Sequence, residues 1–197
     1  MEPGATVARA RGARLAGGHM GSARISCVSG CSCAEQVVEA HISERVSQVL
    51  HLRHMTVPAG VLEELVARLT GLQQLDLSHC GLAALPTAVA KLSRLTDLHL
   101  NYNRLSKLPA GFSALTRLTD LGLSHNPQLR ALPPGITRLA RLQCLAWSVS
   151  FATPQPPPAQ LAWLAALNDL ALHGTTHFAE WARAQGILWP SNRTMYY

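Results

Sequence analysis

Leucines recur with a period of 23 residues through the middle of the chain. Leu72, Leu95 and Leu118 begin three successive segments, and further leucines follow three and five positions after each of them. This spacing fits neither the period of 2 of a half-buried strand nor the period of 3.6 of an amphipathic helix. A fixed period in the twenties indicates an array of one supersecondary unit, which cannot bury its apolar side chains alone. We therefore expect a stack of similar turns that share one core.

Each of the three segments follows the pattern L-x-x-L-x-L-x-x-N/C-x-L, with Cys80, Asn103 and Asn126 in the Asn/Cys position. Three consecutive copies of this pattern resemble the leucine-rich repeat family. The resemblance implies an α/β fold, a solenoid with a curved parallel β-sheet on its concave face and short helical or irregular return segments. We count about six strands, with helical caps at the two ends of the stack.

The Asn/Cys position lies where the chain leaves the strand. An asparagine amide can donate to and accept from backbone groups of adjacent turns that would otherwise be unpaired. A cysteine can fill the same position as a small buried residue with a weak donor. We therefore predict a structural ladder formed by Cys80, Asn103 and Asn126.

The return segments carry a second repeated feature. Pro86, Pro109 and Pro133 each follow a leucine, and an apolar residue comes three positions later. This 23-residue version resembles the intracellular, Ras-interactor and scaffold type of leucine-rich repeat, and it differs from the 20-residue bacterial effector type. The resemblance implies a cytoplasmic protein.

The edges of the array are less regular. Further strands are expected in "VLHLRHM" (49–55), "LARLQCLAW" (139–147) and "LAALNDLALHG" (164–174), with one helical face in the segment after the first of them. The prolines at 156–158 favour polyproline II rather than a helical return, so we expect a degraded repeat there. Amphipathic caps are predicted at 34–46 and at 177–186, where Gly186 would stop the helix.

Three regions follow from this organisation: a tail at 1–33, a capped repeat domain at 34–190 and a C-terminal tail at 191–197. The first region has four Arg, one Glu and no apolar periodicity, which is typical of a disordered tail and also of an organelle transit peptide. Its Cys27, Cys31 and Cys33 lack a second Cys/His pair at ligand spacing, so a zinc site is not expected. The sequence has no apolar run near the ~18–20 residues that a membrane span needs.

The formal net charge of +6 raises the question of nucleic acid. Arg94, Arg117 and Arg141 each precede the first leucine of a strand, so they are expected to line one rim of the solenoid. A basic rim without interleaved aromatic residues is weak evidence for nucleic acid. We interpret it as a solvated edge and expect no nucleic-acid partner.

The residues between the inward leucines are predicted to face outward on the concave side. We assign partner binding to ten of them: Gln74, Asp76, His79, Asp97, His99, Asn101, Tyr102, Asp120, Ser124 and His125. His51, Arg53, Asp169 and His173 extend this surface onto the edge strands. Asp and His side chains in proximity could also bind a metal or do acid–base chemistry. An open face without a pocket or an activated nucleophile argues against that chemistry.

Leucine-rich repeats use this surface to bind other proteins, so the resemblance implies a protein–protein interaction module without cofactor or metal, and not an enzyme. The alternative is the recognition or regulatory subunit of an enzyme system, such as a ubiquitin-ligase adaptor or a phosphatase regulator, with catalysis in another chain.

Overall fold

The computed structural model describes residues 48–148 and 157–173, together with 183–184, 186 and 195–196. The predicted N-terminal tail, the predicted cap at 34–46 and most of the predicted cap at 177–186 lie outside these residues.

A single parallel sheet runs through the described part of the chain, with its strands in sequence order. Its seven strands are β1 (Val49–His51), β2 (Gln74–Asp76), β3 (Asp97–His99), β4 (Asp120–Leu123), β5 (Cys144–Ser148), β6 (Asp169–His173) and β7 (Met195–Tyr196). The register follows the leucine period, because Leu75 pairs with Leu98 and Leu98 with Leu121. The predicted α/β solenoid is confirmed.

The three central return segments are short 3-10 helices at Thr87–Lys91, Ala110–Ala114 and Pro134–Arg138. Each follows one of the repeated prolines, whose extended backbone turns the chain out of the preceding loop. Each also buries one apolar side chain completely, namely Val89, Phe112 or Ile136. The period-23 apolar residue of the return segment therefore closes the back of the core.

The two outer return segments are α-helices. Helix α1 (Ala59–Arg68) buries Leu62, Leu65 and Val66, the face that the sequence indicates. Helix α2 (Pro158–Ala166) corrects the expectation of a degraded repeat without a helical return. Pro157 has the extended backbone of polyproline II (φ −61°, ψ 155°), but Pro158 occupies the first helical turn, where its missing N–H leaves no bond unmade.

The C-terminal end also differs from the prediction. Met195–Tyr196 pairs in parallel with β6, so the sheet continues into the segment 191–197 that we assigned to a tail. This strand has no leucine pattern, since only backbone pairing places it. Arg183 and Ala184 are helical, and Gly186 follows with a left-handed φ of 76°.

The core is a continuous column of apolar side chains between the sheet and the return segments. The two inward leucines of each central strand are at most 2% exposed. Trp147 takes the second of these positions in β5, opposite Leu123, and is 1% exposed. No helix in the described ranges is both long and apolar enough to cross a membrane.

Candidate functional site

Asn103 binds the backbone of two successive turns. Its Nδ2 donates to the carbonyl oxygens of Leu77 (2.9 Å) and Leu100 (3.0 Å). Its Oδ1 accepts from the N–H groups of Cys80 (3.1 Å) and Leu82 (3.0 Å). The side chain is 3% exposed, so it pairs backbone groups that water does not reach.

Asn126 repeats this arrangement one turn later. Its Nδ2 donates to the carbonyl oxygens of Leu100 (2.9 Å) and Leu123 (3.0 Å), and its Oδ1 accepts from the N–H of Leu105 (3.1 Å). Both asparagines thus join adjacent repeats through their side chains.

Cys80 makes the equivalent contact one turn earlier. Its Sγ donates to the carbonyl oxygen of Leu52 at 3.0 Å, as Asn103 Nδ2 does to Leu77. Burial raises the pKa of this thiol to about 11, so it stays a neutral donor. The three positions of the predicted ladder therefore make the same inter-repeat bond.

One line of residues across the concave sheet is acidic. Gln74, Asp97, Asp120, Cys144 and Asp169 occupy successive positions in register, and we call them the acidic row. Neighbouring strands lie about 4.8 Å apart, so Asp97 and Asp120 are adjacent like charges. No ion pair to the carboxylates of this row occurs within the described residues.

Cys144 reports the negative field of this row. Its pKa is raised to about 11, first by burial and then by its hydrogen bond to Asp120 and by the charges of Asp120, Asp169 and Asp97. The sequence analysis did not include Cys144, although its register position opposite Asp120 was available from the one-residue insertion at Pro127.

Asp76 is buried, which corrects the prediction that it faces outward. It is 6% exposed, its Oδ1 accepts from the N–H of Ser78 at 2.9 Å, and its Oδ2 lies 3.2 Å from Arg53 Nε. His51 Nδ1 lies 3.8 Å from the same Oδ2. The carboxylate therefore holds the end of β2 and is not free to contact a partner.

Ser78 and Ser124 are also buried, at 2% and 5% exposure. Their side chains are too short to rise above their neighbours in the row, which include Asn101. Ser124 Oγ has no hydrogen-bond partner among the described residues. Ser124 N–H donates instead to Asn101 Oδ1 at 2.9 Å.

Four aromatic side chains stack at one edge of the concave face. His54, His79, Tyr102 and His125 form what we call the aromatic column, with ring centroids 4.3, 4.2 and 4.1 Å apart. The rings are nearly parallel, with interplanar angles of 20°, 11° and 9°. Stacked aromatic pairs contribute about 0.5–1.5 kcal/mol each.

The backbone explains why the rings align. All four residues have a left-handed φ between 56° and 61°, at the point where each strand turns toward the Asn/Cys position. This conformation costs a residue with a Cβ roughly 1–2 kcal/mol, and histidine adopts it more readily than most. The repeated left-handed turn points the four side chains in one direction, and their stacking offsets part of its cost.

His79 has a perturbed pKa. Burial lowers it from the ordinary value of 6.5, and the neighbouring His54 and Arg53 lower it further, while Asp76 opposes them. The neutral imidazole is therefore the favoured form inside the column.

The sequence analysis missed His54. Aligning "LRHM" (52–55) with "LSHC" (77–80) places His54 in the position of His79, but the repeats there are 25 residues apart instead of 23. The extra residues lie in the return segment, which contains the longer helix α1.

The ten predicted partner-binding residues differ in accessibility. Gln74, Tyr102 and His125 are exposed; His79, Asp97, His99, Asn101 and Asp120 are partly exposed; and Asp76 and Ser124 are buried. His173 has a described backbone only. In the part of the chain that the structure describes, no three His, Cys, Asp or Glu side chains are arranged to hold a metal ion.

The comparisons with known proteins agree with this geometry. Residues 67–127 match the family described as leucine rich repeat, and the register of β2, β3 and β4 repeats every 23 residues within that range. The chain is a leucine-rich repeat protein. No curated protein matches it.

Solved structures similar to this leucine-rich repeat protein include the ectodomain of the Arabidopsis receptor kinase HAESA in complex with an N-terminally extended IDA peptide hormone ligand. That likeness has 18% identity and a TM-score of 0.44, and it covers 70% of this chain and 20% of the other. The functional domain of InlJ from Listeria monocytogenes, which includes a cysteine ladder, has 18% identity and a TM-score of 0.41 over 55% of this chain and 27% of the other. The chain thus spans about a quarter or less of these two chains.

Proposed function

We propose that this leucine-rich repeat protein binds a partner protein on its concave face, and that it acts by binding and not by catalysis. The observation that carries the proposal is Tyr102. It is the one large apolar side chain exposed in the described ranges, at 49%, whereas the leucines around it are buried.

The setting of Tyr102 suits a contact residue. Its ring is held between His79 and His125, so little rotamer freedom remains to be lost when a partner binds. Buried or central aromatic side chains often dominate binding energies at protein interfaces. His99 and Asn101 lie beside it on the same face and offer polar groups for orientation.

The acidic row gives the proposed surface a charge preference. Asp97 and Asp120 are adjacent and partly exposed, and like charges directly opposite on neighbouring strands destabilise a sheet. A basic segment of the partner would relieve this repulsion and would associate faster through electrostatic steering. Asp76 and Ser124 do not belong to the contact set, because they are buried.

The same face could serve the recognition or regulatory subunit of an enzyme system, such as a ubiquitin-ligase adaptor or a phosphatase regulator. We also propose a cytoplasmic location. The repeat type resembles the intracellular class, and the two cysteines of the described ranges, Cys80 and Cys144, are free thiols, as is usual in reducing compartments.

The test begins with partners identified by affinity purification and mass spectrometry, followed by binding measurements with purified components. The double variant Tyr102→Ala with His99→Ala should weaken binding at least tenfold, about 1.4 kcal/mol. The matched control is Arg94→Ala with Arg117→Ala on the exposed rim, which should mainly change the salt dependence. If the rim variant abolishes binding and the concave variant does not, the basic rim is the site and the proposal is wrong.

A further inference from the structure

The two halves of the aromatic column differ in what protonation would do to them. At the N-terminal end two imidazoles, His54 and His79, are in direct face-to-face contact at 4.3 Å. At the C-terminal end His125 stacks on the phenol ring of Tyr102 at 4.1 Å. The tyrosine therefore separates His125 from the histidine pair.

The surroundings of the histidine pair add to the difference. Arg53 places a fixed positive charge beside it, and lowers the pKa of His79 together with burial and His54. Asp76 is the acidic group that acts in the opposite direction, but its carboxylate already pairs with Arg53 and accepts from Ser78 N–H. His51 also lies near that carboxylate. Two imidazolium rings in contact would repel each other with no uncommitted carboxylate to compensate them.

The other half of the column tolerates a positive charge. A protonated imidazole on the face of a tyrosine ring makes a favourable cation–π contact. Protonation of His125 therefore keeps its contact with Tyr102, whereas protonation of both His54 and His79 separates their rings.

We propose that the aromatic column is a proton-sensitive joint between the first two repeats, in which acidification opens the His54–His79 contact and leaves the Tyr102–His125 contact closed. His54 belongs to the turn after β1 and His79 to the turn after β2, and the His54 N–H donates to the carbonyl oxygen of Ser78 at 3.1 Å. Opening the ring contact thus loosens the attachment of β1 to the rest of the sheet. The joint does not depend on a partner, so it can fail without affecting the proposed function.

The first test follows the His79 imidazole by NMR in the full chain between pH 7.5 and pH 5, with its signals assigned from His79→Tyr. The variant His54→Tyr removes the neighbouring imidazole but keeps an aromatic ring, and Tyr102 shows that tyrosine fits this left-handed position. The titration midpoint of His79 should move to higher pH in His54→Tyr, because one source of repulsion is gone. An unchanged midpoint would overturn the proposal.

The second test compares urea denaturation midpoints at pH 7.5 and pH 5.5 for the wild type, His79→Tyr and Tyr102→His. Because the pKa of His79 is lower in the folded chain, the unfolded chain binds the proton first, and stability falls as the pH drops below about 6.5. The loss should be smaller in His79→Tyr than in the wild type, and larger in Tyr102→His, which makes the column four histidines. Equal losses in all three proteins contradict the joint. If either variant does not fold, the NMR test on His54→Tyr still decides.

Discussion

The side chain of Asn101 lies directly over Gly122 of the next strand. A Cβ at Gly122 would stand 2.5 Å from Asn101 Nδ2 and 2.9 Å from its Oδ1. The missing side chain of Gly122 therefore makes room for the amide that accepts the hydrogen bond from Ser124 N–H. A glycine in the middle of a strand thus has a packing reason here.

Gly122→Ala should lower the free energy of unfolding by about 1 kcal/mol or more, because Asn101 must move and Ser124 N–H loses its partner. Gly60 is the control, since a Cβ there meets nothing within 4 Å and the residue lies in helix α1. Gly60→Ala should stabilise by roughly 0.5–1 kcal/mol through helix propensity. Chemical denaturation measures both. A neutral Gly122→Ala would show that Asn101 is not held over this position.

Asn126→Ala should cost about 1–3 kcal/mol, because the carbonyls of Leu100 and Leu123 and the N–H of Leu105 lose their buried partner. Ser124→Ala is the matched comparison two residues away, and it should be near neutral because Ser124 Oγ has no partner among the described residues. Urea titrations of the two variants should rank them in this order. The reverse ranking would be incompatible with the repeat register.

Asp76→Ala should destabilise the protein by about 1–3 kcal/mol, since it leaves the buried Ser78 N–H without an acceptor. Arg53→Ala removes the other partner of that carboxylate, but the Arg53 side chain is 56% exposed, so we expect a loss of about 1 kcal/mol or less. Thermal or chemical denaturation of both variants checks this. A larger loss for Arg53→Ala would mean that the ion pair, and not the backbone bond, fixes Asp76.

Cys144 should react slowly with iodoacetamide at pH 8, because its pKa of about 11 leaves on the order of one thiol in a thousand ionised. Asp120→Asn removes a charge that raises this pKa, so alkylation should become faster. Peptide mapping by mass spectrometry separates Cys144 from the other cysteines. The more deeply buried Cys80 is the internal control, and its rate should not change. Identical rates at Cys144 in both proteins would contradict the influence of the acidic row.

The site could be predicted only in part because exposure depends on neighbours in other repeats. The pattern places Asp76 and Asp97 at outward positions, yet Asp76 is buried under Arg53 and His51 while Asp97 remains partly exposed. The difference comes from the residues of the preceding strand, which stand 23 or 25 positions away. Likewise, the prolines at 156–158 favour an extended segment locally, but packing of Leu164 and Leu167 into the core places a helix from Pro158 onward.

The sequence by itself determined the period, the inward leucines and the asparagine position, because a stacked fold can bury leucines at that spacing in only one register. The tertiary structure alone decided that His54, His79, Tyr102 and His125 form one column. Each ring is positioned by a left-handed turn and by the ring of the next repeat. Contacts between residues 23 or more positions apart exist only after the repeats have stacked, so no local pattern encodes them.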